Sequence, residues 1–239
     1  MLADKYDKVR RQISHACRDC GRAPESVQLL AVSKTRNANE IRQLYACGQA
    51  AFGENYLQEA LDKIDALQDL PLEWHFIGPI QSNKTRAIAE RFDWVHSVDR
   101  LKIARRLSEQ RPADRLPLNV CLQVNISSEA SKSGCSVEEL PELARAVDAL
   151  PGLRLRGLMA IPAAATDPQQ QRHTFAQVRT QLETLQSELP QLDTLSMGMS
   201  GDLEAAIAEG ATLVRVGTAL FGPRTYATPG ADTPATPNA

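Results

Sequence analysis

The sequence contains no hydrophobic run approaching the roughly 20 residues that a membrane-spanning helix needs. Its first eight residues, Met1 to Lys8, are polar and lack the apolar core of a secretory signal. Cysteine is scarce, with five in 239 residues. So few, in odd number, argues against a disulfide framework and fits a reducing compartment, so a cytoplasmic chain is expected. Charge of one sign is lacking too: 27 Lys and Arg against 29 Asp and Glu leave a net charge of -2. That removes the electrostatic reason to expect nucleic acid or a membrane surface as partner. No G-x-G-x-x-G follows the first predicted strand, which takes away the main support for dinucleotide binding. Cys17 and Cys20 form a C-x-x-C near His15, but no second ligand pair follows and the segment has helical periodicity. They are read as incidental helix cysteines rather than a zinc or redox site.

What is present is an ordinary globular composition, 43% apolar and 23% charged. After an opening helix at about 5–20, strand-like and helix-like segments alternate. Strands are expected at 27–32, 51–53, 74–77, 94–97, 118–125, 155–159, 194–196 and 212–216. Helices are expected at 38–47, 55–67, 83–91, 100–110, 137–150, 168–189 and 201–209. Eight such units in about 200 residues predict an α/β fold, a single (β/α)₈ TIM barrel with an extra N-terminal helix. An open doubly wound sheet is the runner-up. With no interior linker or repeat, residues 1–226 are taken as one domain. Residues 227–239 are Pro, Thr, Ala and Gly with nothing apolar to anchor them, and are expected to be a disordered tail.

Active sites of such barrels lie at the C-terminal ends of the strands, and polar chemistry recurs there. Lys34 closes the apolar run Val27-Gln28-Leu29-Leu30-Ala31-Val32-Ser33. A lysine whose pKa burial lowers can attack an aldehyde or ketone; the plain alternative is a strand-end lysine reaching solvent. Asn55 and Tyr56 follow the second strand, one for a ligand and one to start the next helix. Ser200, Gly217 and Thr218 follow the seventh and eighth strands, where such barrels often hold phosphate. Ser200 is expected also to cap the helix beginning near Asp202. Arg215 stands between Val214 and Val216 in a strand that should be buried, so it needs an acceptor: a barrel carboxylate, or a ligand's ring nitrogen or phosphate. His75 falls inside a strand and reads as a hydrogen-bonded core histidine. Ser82 or Asn83 reads as a helix N-cap, and Lys132 as a solvated loop lysine outside the site. An amine beside a phosphate cradle suits a phosphorylated carbonyl compound.

Seven motifs in order carry a resemblance. They are Ala31-Val32-Ser33-Lys34-Thr35, Phe52-Gly53-Glu54-Asn55-Tyr56, the run from Trp74 to Lys84, Ser131-Lys132-Ser133-Gly134, the run from Arg156 to Pro162, Ser196-Met197-Gly198-Met199-Ser200, and the run from Val214 to Gly222. Together they resemble the pyridoxal phosphate homeostasis family, alanine-racemase-like barrels of the fold type III that binds pyridoxal 5'-phosphate (PLP). The resemblance implies that Lys34 holds PLP as an aldimine, that Arg215 meets the pyridine nitrogen, and that Ser200, Gly217 and Thr218 hold the phosphate, with Asn55 also at the cofactor. It implies a part in intracellular vitamin B6 homeostasis with negligible catalysis and no metal. The expected partners are PLP and apoenzymes that require it. Gly201 departs from the acidic or polar residue expected before Asp202, with little effect on phosphate binding because the backbone N–H remains.

The chain has no residues left for the β-rich second domain with which alanine racemase builds its dimer and supplies a tyrosine base, so a monomer is expected. Two rivals stay open: a PLP-dependent amino-acid racemase or lyase using Lys34 as base, and an aldolase-like enzyme in which Lys34 attacks a sugar-phosphate ketone.

Overall fold

The computed structural model describes residues 1–127 and 133–223; the expected tail and Lys132 lie outside the described residues. Eight strands alternate with helices: β1 Gln28–Val32, β2 Ala51–Glu54, β3 Glu73–Phe76, β4 Trp94–Val98, β5 Leu118–Gln123, β6 Leu153–Met159, β7 Thr194–Ser196 and β8 Leu213–Val216. All neighbours pair in parallel, and β8 returns to β1 to close the ring, with Gln28 opposite Leu213 and Ala31 opposite Val216. The expected (β/α)₈ barrel is the observed one. Strand ends differ from the expectation by one or two residues. The register shifts in two places, between Val95 and Val98 where β4 meets β5 and between Val120 and Cys121 where β5 meets β6.

The helices are α1 Leu2–Asp19, α2 Ala38–Ala46, α3 Leu57–Ala66, α4 Thr85–Arg91, α5 Leu101–Gln110, α6 Leu140–Asp148, α7 Pro168–Gln186, α8 Leu203–Ala208 and the single turn α9 Thr218–Phe221. In α1 the buried residues Tyr6, Val9, Ile13, Ala16 and Cys17 recur at helical spacing. That face packs on α2, α8 and α9. The bond from Arg22 Nη1 to the Ile207 carbonyl, 2.7 Å, ties the end of α1 to α8. Cys17 is therefore a packing residue, and Cys20, just past the helix, is exposed.

Two expected caps are corrected. The N-cap of α8 is Asp202, whose Oδ1 accepts from the Met199 N–H at 2.6 Å; Ser200 is an exposed residue before it. Asp202 holds the N-cap position without a side-chain cap bond, its carboxylate closing the preceding turn instead. Before α4, Ser82–Lys84 is a 3₁₀ turn with Gln81 as its N-cap, so neither Ser82 nor Asn83 caps the α-helix with its side chain.

Side chains alternate across the strands. Leu29, Ala31, Phe52, Trp74, Phe76 and Val95 join the large cluster between sheet and helices. Leu30, Val32, Ala51, Ile77 and Leu213 form a separate cluster, as do Trp94, Cys121 and Met159. These two are the apolar parts of the barrel interior, and the rest of the interior is polar. In the outer layer Phe92 is fully buried and meets Phe76 edge-on, ring centroids 5.3 Å apart. Phe92→Ala should lower unfolding free energy by about 3–5 kcal/mol, the usual cost of emptying such a site; urea unfolding measures it.

Candidate functional site

At the C-terminal end of the barrel a cavity of about 290 Å³ is lined by Lys34, Asn55, Ser200, Arg215, Gly217 and Thr218 together with apolar Val32, Ile77, Ile161 and Met199. All six residues singled out from the sequence thus meet at one place. Because β8 pairs with β1, residues more than 180 positions apart in the chain share a wall. His75 is not among them. It is fully buried within β3 and hydrogen-bonded, as a core histidine. Tyr56 is the N-cap residue of α3 and half exposed, leaving Asn55 as the one of the pair that faces the cavity.

Lys34 sits in the turn just after β1, and the residues on either side of it are gripped from below. The Lys63 ammonium, buried on α3, donates to the Ser33 carbonyl at 2.6 Å and to Glu54 Oε1 at 2.7 Å, and also pairs with Glu59. The Ser33 hydroxyl donates to the same Glu54 oxygen at 2.6 Å. On the far side, the Thr35 N–H donates to Glu59 Oε1 at 2.5 Å. Thr35 has φ +63°, a left-handed conformation that a β-branched residue adopts only at a cost of order 1–3 kcal/mol. The ionic cluster holds that conformation, and with it the departure angle of the Lys34 side chain.

Sequence reasoning passed over Lys63 and Glu59. At i and i+4 on a helix they look like an ordinary surface pair, and only the three-dimensional position of Glu54 beneath them shows otherwise. Asn55 is fixed differently. A Cβ on Gly78 would lie 2.2 Å from the Asn55 carbonyl oxygen, so only glycine lets the end of β3 press against that backbone. Ser97 Oγ secures the Gly78 carbonyl in turn.

Arg215 is buried in β8, as its flanking valines suggest. It meets no barrel carboxylate among the described residues. Nη1 donates to the Ser196 carbonyl at 2.6 Å and to Ser196 Oγ at 2.8 Å, and Nη2 donates to the Ala160 carbonyl at 2.9 Å. Burial pulls its pKa down to about 10, which leaves it charged at neutral pH. It is therefore a permanent donor at the cavity wall.

These residues suit a phosphorylated aromatic aldehyde. Lys34 offers an amine, Arg215 a guanidinium, and Ser200 and Thr218 offer hydroxyls. The buried Asn55 Oδ1 has no partner within the protein, an acceptor left for a ligand. A Cβ at Gly217 would come 3.3 Å from the Val32 carbonyl, so the glycine lets the end of β8 lie close against the end of β1. Among the described residues no group of His, Cys, Asp and Glu is arranged to hold a metal ion.

The grip on Lys34 can be tested without any ligand. Lys63→Met should destabilise the fold by roughly 3–5 kcal/mol at neutral pH, because it strands the Glu54 charge. Burial already raises the Glu54 carboxyl above its ordinary value, against the pull of Lys63. A carboxylate with a raised folded pKa penalises the folded state only while ionised. The loss should accordingly be full above that pKa and shrink as pH falls through it, a trend that urea unfolding at about pH 8 and about pH 5 will show.

The alanine racemase N-terminal domain family matches residues 6–225. A pyridoxal phosphate homeostasis protein of Pseudomonas aeruginosa is 63% identical over 228 residues, covering 95% of this chain and 98% of that one. The protein of the same name from Escherichia coli K12 is 55% identical over 228 residues, covering 94% and 97%. PipY of Synechococcus elongatus, solved with PLP bound, superposes with a TM-score of 0.81 at 41% identity, over 93% of this chain and all of that one. Alanine racemase of Corynebacterium glutamicum shares the fold, with a TM-score of 0.66 at 19% identity, but 63% of its length is spanned. Matched from end to end of its barrel at this level of identity, the chain belongs to the pyridoxal phosphate homeostasis protein family, on the alanine racemase N-terminal fold.

Proposed function

We propose that the chain binds PLP in the cavity at the barrel mouth, carries it covalently on Lys34, and serves the cell's PLP supply rather than turning over an amino acid. One observation carries this reading: Lys34 and Arg215, brought together by the closure of β8 onto β1, face one cavity with Ser200, Gly217, Thr218 and Asn55. PLP bound to a relative of the same fold at 41% identity supports the choice of ligand.

PLP supplies an electron sink when its ring nitrogen is protonated, normally through a carboxylate partner. Arg215 stays charged, can only donate, and leaves such a nitrogen without a proton. Ser200 and Thr218 offer their hydroxyls to the phosphate, and Asn55 offers its unpartnered oxygen. Among the described residues lining the cavity, Lys34 and Arg215 are the ones that carry ionisable groups. Lys34 can move a proton on one face, and among the described residues lining the cavity no second base stands opposite it. Both features disfavour racemisation, for which a positioned acid–base group is typically worth about 10²–10⁴-fold. We place the protein in the cytoplasm as a monomer, with PLP-requiring apoenzymes as recipients. The five free thiols fit a reducing compartment.

Borohydride treatment of the PLP-loaded protein, followed by peptide mass spectrometry, should find the pyridoxyl group on Lys34. Lys34→Ala should lose it with its melting temperature little changed. A main adduct on Lys84 or Lys132 would overturn the assignment.

Incubation with L-alanine in heavy water should give negligible α-deuteration and negligible D-alanine. Turnover at an ordinary enzymatic rate, on the order of 1–10³ per second, would instead make the chain a small racemase.

A further inference from the structure

Arg215 is a buried cation with no carboxylate against it among the described residues, a situation that is costly unless the charge is compensated. A continuous line of side chains leads away from it through the barrel interior. Arg215 Nη1 lies 2.8 Å from Ser196 Oγ, and Ser196 Oγ lies 2.7 Å from His96 Nδ1. His96 Nε2 is 2.9 Å from His75 Nδ1, and His75 Nε2 is 2.7 Å from Glu73 Oε1. Ser196, His96 and His75 are all buried, whereas the Glu73 side chain is 42% exposed. Glu73 opens the N-terminal end of β3 and lines a second cavity there with Tyr6, Arg10 and Gln28. The line therefore joins the ligand end of the barrel to the opposite end.

We propose that Glu73, His75, His96 and Ser196 act as positioning residues that pair Arg215 with a distant carboxylate through a hydrogen-bond line of fixed direction, holding its guanidinium as the donor at the cavity. The inference rests on the PLP reading for its functional consequence, but not for its structure.

The direction follows from donor and acceptor chemistry. A guanidinium can only donate, so Ser196 Oγ accepts from Arg215 and its own proton goes to His96 Nδ1. A neutral His96 then carries its proton on Nε2 and donates to His75 Nδ1. His75 in turn carries its proton on Nε2 and donates to the Glu73 carboxylate. Every dipole points the same way, from the cation toward the anion, so three neutral groups stabilise a separated ion pair. The reverse sense requires either a doubly protonated His75 or a protonated Glu73, and leaves the Ser196 proton without an acceptor in the line.

Other contacts favour the first arrangement. Burial, with His75 and Arg215 nearby, holds the His96 pKa well below the ordinary histidine value. The His75 N–H keeps the Glu73 carboxyl below its own ordinary value. The His75 ring is stacked on Trp94 at 5.4 Å and 7°, and Arg156 covers Trp94 at 4.7 Å, so the ring plane is fixed by packing as well.

The test begins with the full chain free of PLP, labelled with ¹⁵N-histidine. At neutral pH both His75 and His96 should be neutral with the proton on Nε2. A proton on Nδ1 of either ring, or a doubly protonated His75, would overturn the line. PLP labelled at its ring nitrogen then reports the functional consequence. In Ser196→Ala and His96→Leu the ring-nitrogen resonance should move away from its wild-type position. PLP binding should weaken roughly tenfold or more, the worth of a charge-assisted hydrogen bond. His96→Gln, whose amide can accept and donate in the same order, should restore both. If His96→Leu does not fold, Ser196→Ala carries the comparison. A folded variant with an unchanged ring-nitrogen signal refutes the positioning role, since a purely structural defect would lower the melting temperature and leave that signal in place. A chain that takes up no PLP defeats the functional reading but leaves the histidine result standing, so the two failures are distinguishable.

Discussion

The pairing of β8 with β1 is the constraint on which the molecule depends. A parallel sheet left open would place Lys34 at one edge and Arg215 at the other. Closed, it puts the end of β1 beside the end of β8, with Gly217 allowing their backbones to approach. The cavity, the candidate amine and the candidate hydroxyls are all consequences of that single ladder. Closure also removes the unpaired strand edges that an open sheet must protect.

Within the ring, the distribution of charge is unusual for a core. Apolar side chains fill the part near β1, β2 and β8, and a second apolar group lies around Trp94. Between them run a guanidinium, a hydroxyl and two imidazoles, each hydrogen-bonded. Just outside, Lys63 is buried against Glu54 and Glu59. Such networks contribute little net stability compared with apolar packing, but removing any one partner is costly. Their effect is to allow few alternative arrangements of the groups at the mouth. Lys34 and Arg215 are both held by this kind of support, one through its backbone neighbours and the other through its own side chain.

Much of this was legible in the sequence, and the reasons are physical. A strand buried on both faces must be an apolar run, so Leu29 to Val32 and Leu213 to Val216 identify themselves, and a charge at or within such a run stands out. Lys34 and Arg215 were visible for that reason. Strand and helix alternation is a local property, which is why all eight strands could be placed within one or two residues. Caps were less legible. Ser200 and Asp202 are both good capping types two positions apart, and the choice depends on where α8 can begin once Leu203 is buried. The hydrogen-bond line was not legible. His96 lies 21 residues from His75 and 100 from Ser196, and no local pattern announces a contact across a barrel. Glu73 at a strand start looks like any solvent-facing carboxylate, and Lys63 looks like half of a helical surface pair.

The docking of α1 on α8 and α9 has a consequence for how the protein is made. Helix α1 can meet α2 soon after it is made, but α8 and α9 become available only when residues 203–221 have followed, about 200 positions later. At a synthesis rate of about 5–20 residues per second that is an interval of roughly ten to forty seconds. During it the part of the α1 face that packs on α8 and α9 has no native surface to cover it, and the edge of β1 waits as long for β8. For that interval the nascent chain carries a partly uncovered apolar helix face and an open strand edge.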